Sequence, residues 1–434
     1  MYSSIELIIL LLFCSVGLVA LLRNAKLPPM IAYFLVGLIL GPSGLAVLTD
    51  SESNRHLAEF GIVFLMFTIG LEFSLPTLNS MRKILFGVGL TQVGITLLIS
   101  TMLAMFVGLS LIDGFVVGAA VTMSSTAIVS KILMERLDLN TRHGKLSIGI
   151  LLFQDLAVIP VLILISTLAN PNFDLFQSFS IVLIKATILF VIVFWVGKPI
   201  LNWWFGIIAR QKSSELFVLN VLMVTLIFAY VTDYFGLSFA LGAFVAGMLI
   251  SETHYRFQVE SDIAPFRDIL LGLFFITIGM MLNLNLLFSN ILLILSFLLI
   301  LILFKSTLIA LLIKIFGYET GVGIRTGVIL AHAGEFSFVI LALAQQERIL
   351  NDFVSQVVLA VALLSMLLAP FIIQFNGRIA RKLSKTYLKN SQDNINNIEE
   401  LGHKFNDHVI LCGFGRSGQY LSRFLSEENI PYIA

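Results

Sequence analysis

Charged residues are scarce in this chain. Asp, Glu, Lys and Arg together make up 12% of its 434 residues, whereas soluble domains contain about 25%. The formal net charge is +1, so bulk electrostatics selects no acidic or basic partner. Because there is no basic stripe with interleaved aromatic residues, the sequence predicts no nucleic-acid partner.

Cysteine is equally rare, and basic residues are missing from the N-terminal end. Cys14 and Cys412 are far apart and match no metal-binding or redox spacing. The first apolar segment opens with Met1–Glu6, which contains no Lys or Arg, and it is followed by Arg23 and Lys26. A cleavable signal peptide has the opposite order of charge, so this segment is not predicted to be one.

Hydrophobic residues, in contrast, make up 58% of the sequence, and the mean hydropathy is +0.99. A helix of about 20 apolar residues spans a bilayer, and we predict thirteen such segments. Numbered 1 to 13, they are roughly 4–22, 28–46, 57–75, 83–109, 112–134, 144–169, 176–204, 214–235, 237–252, 262–282, 286–316, 322–346 and 352–376. The predicted fold class is an all-α polytopic membrane protein with thirteen transmembrane helices.

The positions of Lys and Arg predict the orientation. With the N-terminus outside, nearly all basic residues of the short loops fall on the inner side, and the outer loops contain only Arg55 and Arg348. This distribution follows the positive-inside rule. The number of spans is then odd, because the basic residues that follow residue 376 also lie inside. The C-terminus is therefore predicted to be cytoplasmic.

Two halves of the chain resemble each other. Leu65–Glu72 of segment 3 matches Phe274–Met281 of segment 10 at an offset of 209 residues. Small residues in segments 2 and 9, and polar interruptions in segments 5 and 12, correspond at a similar offset. Partners are seven segments apart, so the two copies cross the membrane in opposite directions. Such inverted repeats are typical of alternating-access transporters.

Segment 6 places a carboxylate inside an apolar run. Gln154 and Asp155 lie in the middle of Gly144–Leu168, where Asp155 is expected near the membrane midplane. A charge at that depth costs about 3 kcal/mol, so a residue of this kind usually binds an ion or transfers a proton. Asp155 and Gln154 are therefore the central candidates for an ion and proton site. The alternative is a structural Asp held by neighbouring helices.

Segment 5 concentrates hydroxyl groups at a similar depth. Thr122, Ser124, Ser125 and Thr126 lie close together in the sequence. Hydroxyl oxygens can coordinate a dehydrated cation, and they can also bond back to their own helix. We predict that these four residues complete the ion site beside Asp155. The alternative is close helix packing through small residues.

Segments 11 and 12 supply the other central ionisable residues. His332 and Glu335 interrupt segment 12, and Lys305 lies in the middle of segment 11. Lys305 is far from both interfaces, so it is expected to pair with Asp155 or Glu335 or to hydrogen-bond Gln154. We interpret Lys305, Glu335 and His332 as a supporting polar network. The alternatives are a structural ion pair, neutralisation of half-helix dipoles by Glu335, and packing by His332.

The neighbour of Asp155 predicts the stoichiometry. A single carboxylate that binds either a proton or a cation is sufficient for exchange. Gln154 has no titratable proton, so each cycle is predicted to move one proton against one monovalent cation. That exchange would be electroneutral.

The last residues follow a different pattern. A short apolar strand, His408–Cys412, precedes Gly413, Gly415 and Gly418, and a helical stretch and a second strand follow. This order is typical of the start of a Rossmann nucleotide-binding unit; a tight glycine turn without a ligand is the alternative. The acidic residue that would bind the ribose falls beyond Ala434. The unit is therefore expected to be truncated and not to hold a nucleotide by itself.

Several stretches match the motifs of one known family. They are Gly41–Leu45, Thr68–Glu72, Ser124–Ile128, Leu152–Pro160, Glu260–Phe266, Leu271–Met280 and Gly334–Phe338. In these motifs the chain resembles the glutathione-gated potassium-efflux (Kef-type) proteins, in the second branch of the monovalent cation:proton antiporter superfamily. The Gln-Asp pair matches potassium-handling members, whereas sodium-handling relatives more often have Asn-Asp or Asp-Asp. The resemblance thus implies K⁺ as the ion at Asp155.

The resemblance implies a domain organisation. Residues 1–376 would form the membrane antiporter domain, 377–407 a cytoplasmic linker and 408–434 the beginning of a regulatory Rossmann-type domain. Segments 1–3 and 8–10 would form a dimerisation domain, segments 4–6 and 11–13 a core domain, and segment 7 a linker helix. Segments 5 and 12 would be broken and crossed. The core would move like an elevator within a homodimer.

The resemblance also implies regulation. In this family the C-terminal domain binds a nucleotide, here NAD(H) or AMP in the full-length protein, and in some members glutathione conjugates; an ancillary regulatory protein is a further implied partner. The domain acts through a cytoplasmic loop, which corresponds to Glu252–Arg267 and contains the candidate regulatory residues Glu260 and Asp262.

The predicted function is secondary active transport and not enzymatic catalysis. The transported ions would be K⁺ and H⁺, exchanged through Asp155 across a bacterial inner membrane. Two alternatives stay open at this point: sodium/proton exchange, and a ligand-gated potassium channel or uniporter without proton coupling.

Overall fold

The structure is a computed structural model that describes residues 4–24, 29–47, 61, 63–71, 81–168, 197–234, 239–384, 408–413, 416–428 and 430–433. This part of the chain is mostly helical. Its helices are α1 (Ser4–Asn24), α2 (Pro29–Leu40), α3 (63–71), α4 (Met81–Phe106), α5 (Leu111–Thr122), α6 (Thr126–Glu135), α7 (Arg142–Leu168), α8 (Lys198–Ala209), α9 (Ser214–Tyr234), α10 (Phe239–Ser251), α11 (Arg256–Met281), α12 (Leu284–Ser289), α13 (Ile291–Ile315), α14 (Thr320–Ile329), α15 (Glu335–Gln346), α16 (Asp352–Gln374), α17 (Asn376–Leu383) and α18 (Arg416–Glu427).

Seven of the described helices are long and apolar enough to cross a membrane. They are Met81–Phe106, Leu111–Glu135 (α5 and α6 together), Arg142–Leu168, Glu215–Tyr234, Arg256–Met281, Ile291–Ile315 and Asp352–Gln374. Shorter apolar helices include Ile9–Asn24, Pro29–Leu40, Pro199–Ala209 and Leu241–Ser251. The predicted helical membrane class is confirmed. The count of thirteen spans stays a prediction, because most of segment 7 and part of segment 3 lie outside the described residues.

Membrane segments 5 and 12 are each interrupted. Residues 123–125 separate α5 from α6, and residues 330–334 separate α14 from α15. The interruptions touch, because a Cβ added to Gly334 would lie 2.6 Å from the carbonyl carbon of Ser124. Ser124 Oγ also donates a hydrogen bond to Leu330 O at 3.0 Å. Irregular backbone at membrane depth must be buried in protein, and here each interruption helps to bury the other.

Glycines bring two further helix pairs into backbone contact. Between α2 and α11, a Cβ on Gly37 or Gly279 would lie 1.9 or 2.1 Å from a backbone oxygen of the other helix. Between α3 and α10, a Cβ on Gly70 or Gly247 would lie 2.2 or 2.0 Å from such an oxygen. Small residues allow membrane helices to pack this closely. The small residues predicted in segments 2 and 9 therefore lie at helix contacts.

The predicted cytoplasmic loop at 252–267 is mostly helical, and the expectation of a loop was wrong. The turn covers residues 252–255, and α11 begins at Arg256. Glu260 is exposed and Asp262 is half-buried on this helix. The resemblance to the family implied this loop. The charged composition of residues 252–267 suits the solvated end of a helix that continues into the membrane as an apolar one.

The C-terminal residues form a strand–helix–strand unit. β1 (Val409–Ile410) pairs in parallel with β2 (Tyr432–Ile433), and α18 connects them in the chain. Gly413 has a φ of +120°, which favours glycine. A Cβ on Gly418 would lie 2.1 Å from Gly413 O. Gly415 lies outside the described residues. The element order is as predicted, and its identity as a Rossmann unit stays a prediction.

Candidate functional site

Asp155 lies on α7 among the membrane helices and is 4% exposed. Thr126 Oγ1 lies 3.1 Å from both Asp155 Oδ1 and Oδ2, so the hydroxyl donates to the carboxylate. Thr126 is the first residue of α6, and the N-terminal end of a helix carries partial positive charge. The interruption of segment 5 therefore presents a donor and a favourable dipole to a buried carboxylate.

Gln154 is held at both ends of its amide. Its Oε1 accepts from Ser124 N at 2.8 Å, and its Nε2 donates to Gln92 Oε1 at 2.9 Å. Gln92 Nε2 in turn donates to Thr96 Oγ1 at 3.1 Å. Sequence analysis missed Gln92. The available signal was a single glutamine in the apolar run of segment 4, which is too common a feature to indicate a site.

Close packing of α4 against α7 brings Gln92 to Gln154. A Cβ on Gly89 would lie 2.7 Å from Phe153 Cβ, and a Cβ on Gly149 would lie 2.5 Å from Ile84 Cγ2. The contact falls in the π-helical turn Ile84–Gly89 of α4. A π-helical turn adds a residue to the helix and so rotates the next turns about the helix axis. The backbone of α4 therefore determines which face carries Gln92.

Lys305 binds the C-terminal ends of the interrupted helices. It is fully buried on α13, and its Nζ donates to Met123 O at 2.8 Å, Ser124 Oγ at 3.0 Å and His332 O at 2.7 Å. An ammonium group has three donors, so these bonds use all of them. The predicted pairing of Lys305 was therefore wrong. Carbonyl groups exposed by the two interruptions attract the cation instead, as expected at the negative ends of half-helices.

Glu335 lies at the opposite, N-terminal ends. It is the first residue of α15, and its side chain lies against Ser125 and the backbone of Ala127 at the start of α6. Among the described residues, Glu335 Oε2 has no hydrogen-bond partner. An acidic group at two helix N-termini complements their dipoles. Glu335 and Lys305 thus place an acidic and a basic side chain at the opposite ends of the interrupted helices.

His332 supports the backbone of the interruption. Its Nε2 accepts a hydrogen bond from Ser125 N at 3.3 Å. An acceptor nitrogen carries no proton, so the ring proton is on Nδ1. His332 is 1% exposed. This geometry favours a structural role for His332 at the interruption.

The four hydroxyls of segment 5 serve different purposes. Thr122 Oγ1 bonds back to its own helix, Ser124 Oγ bonds the other interruption, and Ser125 Oγ caps the start of α6. Thr126 is the residue whose hydroxyl contacts Asp155. The structure therefore brings one of the four predicted hydroxyls to the carboxylate and uses the others to build the interruption.

These residues lie in a stretch that matches a known family. The family model described as "Sodium/hydrogen exchanger, transmembrane" matches residues 8–376. The chain belongs to the sodium/hydrogen exchanger family. Asp155 and its neighbours on α4, α6 and α7 all lie within the matched part of the chain.

Curated relatives of this chain are named as potassium-efflux antiporters. The chain is 40% identical over 433 residues to "Putative K(+) efflux antiporter KefB" of Alkalimonas amylolytica, covering 99% of this chain and 65% of the relative. It is 38% identical over 436 residues to "K(+) efflux antiporter 1, chloroplastic" of Arabidopsis thaliana, covering 98% of this chain and 36% of the relative. The chain spans less than two thirds of the length of either relative. The resemblance to Kef-type proteins is confirmed.

Solved structures show the same fold. The sodium proton antiporter MjNhaP1 from Methanocaldococcus jannaschii at pH 8 matches with a TM-score of 0.60 and 16% identity, covering 86% of this chain and 97% of that chain. An electron-microscopy structure of MjNhaP1 matches with a TM-score of 0.62 and 17% identity, covering 88% of this chain and 98% of that chain. The chain therefore has the fold of a helical membrane antiporter.

The other predicted functional residues lie on other elements. Glu260 and Asp262 are on α11, and Gly413 and Gly418 are in the C-terminal unit. The residues around Asp155 come from α4, α6, α7, α13 and α15. The predicted regulatory and cofactor-binding residues are therefore not among the described contacts of the candidate ion site.

Proposed function

We propose that the protein exchanges K⁺ for H⁺ across a bacterial inner membrane. The observation that carries the proposal is the buried carboxylate of Asp155, which lies 3.1 Å from Thr126 Oγ1. A carboxylate inside membrane helices binds a proton or a cation in competition. When the same carboxylate binds a proton on one side of the membrane and a cation on the other, proton movement and cation movement are coupled.

One proton moves for each cation, because Asp155 is the carrier of both. Gln154 has no titratable proton, and both ends of its amide have protein partners. Glu335 is assigned to the helix N-termini, and Lys305 uses all three donors on the interruptions. Exchange is therefore electroneutral and independent of membrane potential.

Potassium is the preferred cation. The curated relatives are named for K⁺ efflux, and the Gln154–Asp155 pair is the version that potassium-handling members carry. Sodium is the second candidate, because the family description and the matching solved structures name sodium. Channel activity without proton coupling is a third, and it has no specific support in the described contacts.

Alternating access arises from two inverted repeats. Segment 2 packs on segment 10 through Gly37 and Gly279, and segment 3 packs on segment 9 through Gly70 and Gly247. Segment 2 corresponds to segment 9 and segment 3 to segment 10, so the repeat symmetry relates these two contacts to each other. The interruptions of segments 5 and 12, which also correspond, contact each other. This symmetry supports the proposal. Segments 4–6 and 11–13 then move as an elevator against a homodimeric domain of segments 1–3 and 8–10, with segment 7 as linker.

The C-terminal unit regulates transport in the full-length protein. It begins a Rossmann domain that binds NAD(H) or AMP and acts through Glu260 and Asp262 at the cytoplasmic start of α11. The positive φ of Gly413 and the close approach at Gly418 support this assignment, because a dinucleotide loop needs a tight turn and close packing at these glycines.

The test compares matched Asp→Asn variants in proteoliposomes. Asp155→Asn removes the titrating group, so K⁺-dependent proton movement is expected to be abolished. The elution volume of the purified variant in size-exclusion chromatography is expected to match that of the parent. Asp113→Asn, at a half-buried position in the first turn of α5 and outside the Asp155 contacts, is expected to transport like the parent. Undiminished exchange by Asp155→Asn would overturn the proposal.

The same vesicles separate the alternative functions. Replacing K⁺ with Na⁺ is expected to reduce the rate, and a faster rate in Na⁺ would assign the protein to sodium exchange. Imposing a membrane potential is expected to leave electroneutral exchange unchanged. K⁺ currents that persist without a proton flux would identify a channel or uniporter instead.

A further inference from the structure

An arginine-lined cavity of about 390 Å³ lies at the end of α16, outside the Asp155 site. Its lining residues are Arg136, Gln374, Phe375, Gly377, Arg378 and Arg381. Three of these six residues carry a guanidinium group, and none is acidic. A concave surface with this charge attracts anions, and arginine is the side chain best suited to phosphate because it donates two parallel hydrogen bonds.

The three guanidinium groups are held in position with donors to spare. Arg136 Nη1 donates to backbone carbonyls at the end of α16, and Arg381 Nε donates to a backbone carbonyl of α17. The Arg378 Cζ lies 5.3 Å from the centroid of the Phe375 ring. An arginine has five N–H donors, so each of these residues retains several for a ligand.

The acidic group next to the cavity, the carboxylate of Asp138, already contacts three basic side chains. Asp138 Oδ2 lies 3.4 Å from Arg325 Nη2, 3.7 Å from Arg136 Nε and 3.7 Å from His143 Nε2. One carboxylate between two arginines does not cancel their charge, and it does not line the cavity. The cavity therefore keeps an excess of positive charge.

The depth of the cavity favours a lipid as the source of the anion. α16 is long and apolar enough to cross a membrane over Asp352–Gln374, which places a cavity at its end at headgroup level. Phe371, near the end of α16, and Phe375, which lines the cavity, are 51% and 44% exposed, which suits contact with acyl chains. Basic pockets at the inner ends of membrane helices bind anionic headgroups.

We infer that this cavity binds the phosphate group of an anionic glycerophospholipid. Arg378 and Arg381 of α17 contact the phosphate from one side, and Arg136 contacts it from the end of α6. Bound lipid thereby ties α17 to the half-helix whose first residue, Thr126, contacts Asp155. α17 also contacts α14, because Arg325 Nε of α14 donates to Oδ1 of Asn376, the first residue of α17, at 2.8 Å.

The binding test uses the full chain, purified in detergent and stripped of lipid. Its melting temperature is measured while dioctanoyl-phosphatidylglycerol is added, and dioctanoyl-phosphatidylcholine and inorganic phosphate are added in separate arms. Phosphatidylglycerol is expected to raise the melting temperature of the parent, and the other two are not. In the double variant Arg378→Gln/Arg381→Gln, half-maximal stabilisation is expected to need about tenfold more phosphatidylglycerol, because charge-assisted hydrogen bonds are lost.

A matched double variant controls for net charge. Lys314→Gln/Lys382→Gln removes the same charge, with Lys382 on the same helix but outside the cavity lining, and is expected to respond like the parent. Equal responses of the two double variants, or of the two lipids, would overturn the site. A rise with inorganic phosphate that depends on Arg378 and Arg381 would overturn the lipid assignment. The melting temperature does not depend on transport, so this test of lipid binding is independent of the proposed antiport.

The effect on transport rests on the proposed function and has its own arm. In proteoliposomes of phosphatidylcholine alone, K⁺/H⁺ exchange by the parent is expected to be slower than in vesicles that also contain phosphatidylglycerol. The arginine double variant is expected to be slow in both. Exchange by the parent that does not respond to the lipid would refute the link between this cavity and the broken helices.

Discussion

Gln92 is the residue whose replacement tests the site most directly. It accepts from Gln154 Nε2 at 2.9 Å and donates to Thr96 Oγ1 at 3.1 Å, and all three side chains are buried. Gln92→Leu keeps the volume and removes both bonds. Gln154 then loses one of the two contacts that hold its amide, and the other contact joins it to Ser124 N in the interruption of segment 5.

The expected magnitude comes from the unmatched donor. A buried amide donor without a partner costs about 1–3 kcal/mol, which corresponds to a factor of roughly 5–150 in an equilibrium constant. Gln154 can recover part of this cost by rotating, and rotation displaces Ser124 and with it Thr126. The variant is therefore expected to bind K⁺ about tenfold more weakly and to melt at a lower temperature.

The assay needs a control that loses as many hydrogen bonds elsewhere. Gln356 on α16 accepts from Asn283 N at 2.9 Å and donates to Met281 O at 2.7 Å. Gln356→Leu removes two bonds far along the chain from the Asp155 site. Melting in detergent and the K⁺ dependence of exchange in proteoliposomes are measured for both variants. Only Gln92→Leu is expected to need more K⁺ for half-maximal exchange.

Two results would refute the reasoning about Gln92. If Gln92→Leu keeps the K⁺ dependence of the parent, the orientation of Gln154 does not matter to ion binding. If Gln356→Leu shifts the K⁺ dependence by the same amount, the effect reflects general loss of stability and not the site.

Two further replacements test individual contacts. Thr126→Val removes the hydroxyl 3.1 Å from the Asp155 carboxylate, so half-maximal exchange should need about tenfold more K⁺. The hydroxyl of Thr122 bonds its own helix, so Thr122→Val should change the K⁺ dependence little. Equal shifts in the two variants would contradict the assignment. Gly334→Ala places a Cβ 2.6 Å from the opposing backbone, so it should lower the melting temperature and slow exchange. Gly94→Ala, with nothing within 4 Å of its Cβ, should do neither.

The features that the sequence predicted correctly depend on local composition. An apolar run that contains Asp155 identifies a buried carboxylate, because the cost of placing a charge in a membrane is a property of the residue and its depth. Glycine and polar residues around Gly334 predict an interruption, because a preference against helix is likewise a property of the local residues. The family motifs pointed to a Kef-type antiporter, and the match over residues 8–376 shows the exchanger family.

The features that sequence analysis missed depend on contacts between distant residues. Lys305 binds Met123 O and His332 O, which are separated from it by 182 and 27 positions. Nothing in its own segment indicates that carbonyl groups compete with carboxylates for its ammonium group. Gln92 lies 62 positions from Gln154, and its role depends on the rotation of α4 after a π-helical turn.

Sequence alone determined that this protein is a helical membrane protein, which residue carries the central carboxylate and where two helices break. Hydropathy, charge cost and backbone preference act on each segment by itself, so they can be evaluated without a fold. Tertiary structure decided that Thr126 is the hydroxyl that contacts Asp155, that Lys305 and Glu335 bind opposite helix ends, and which arginines line one cavity. Those outcomes depend on how helices rotate and pack, because a side chain bonds whichever partner its helix brings within reach.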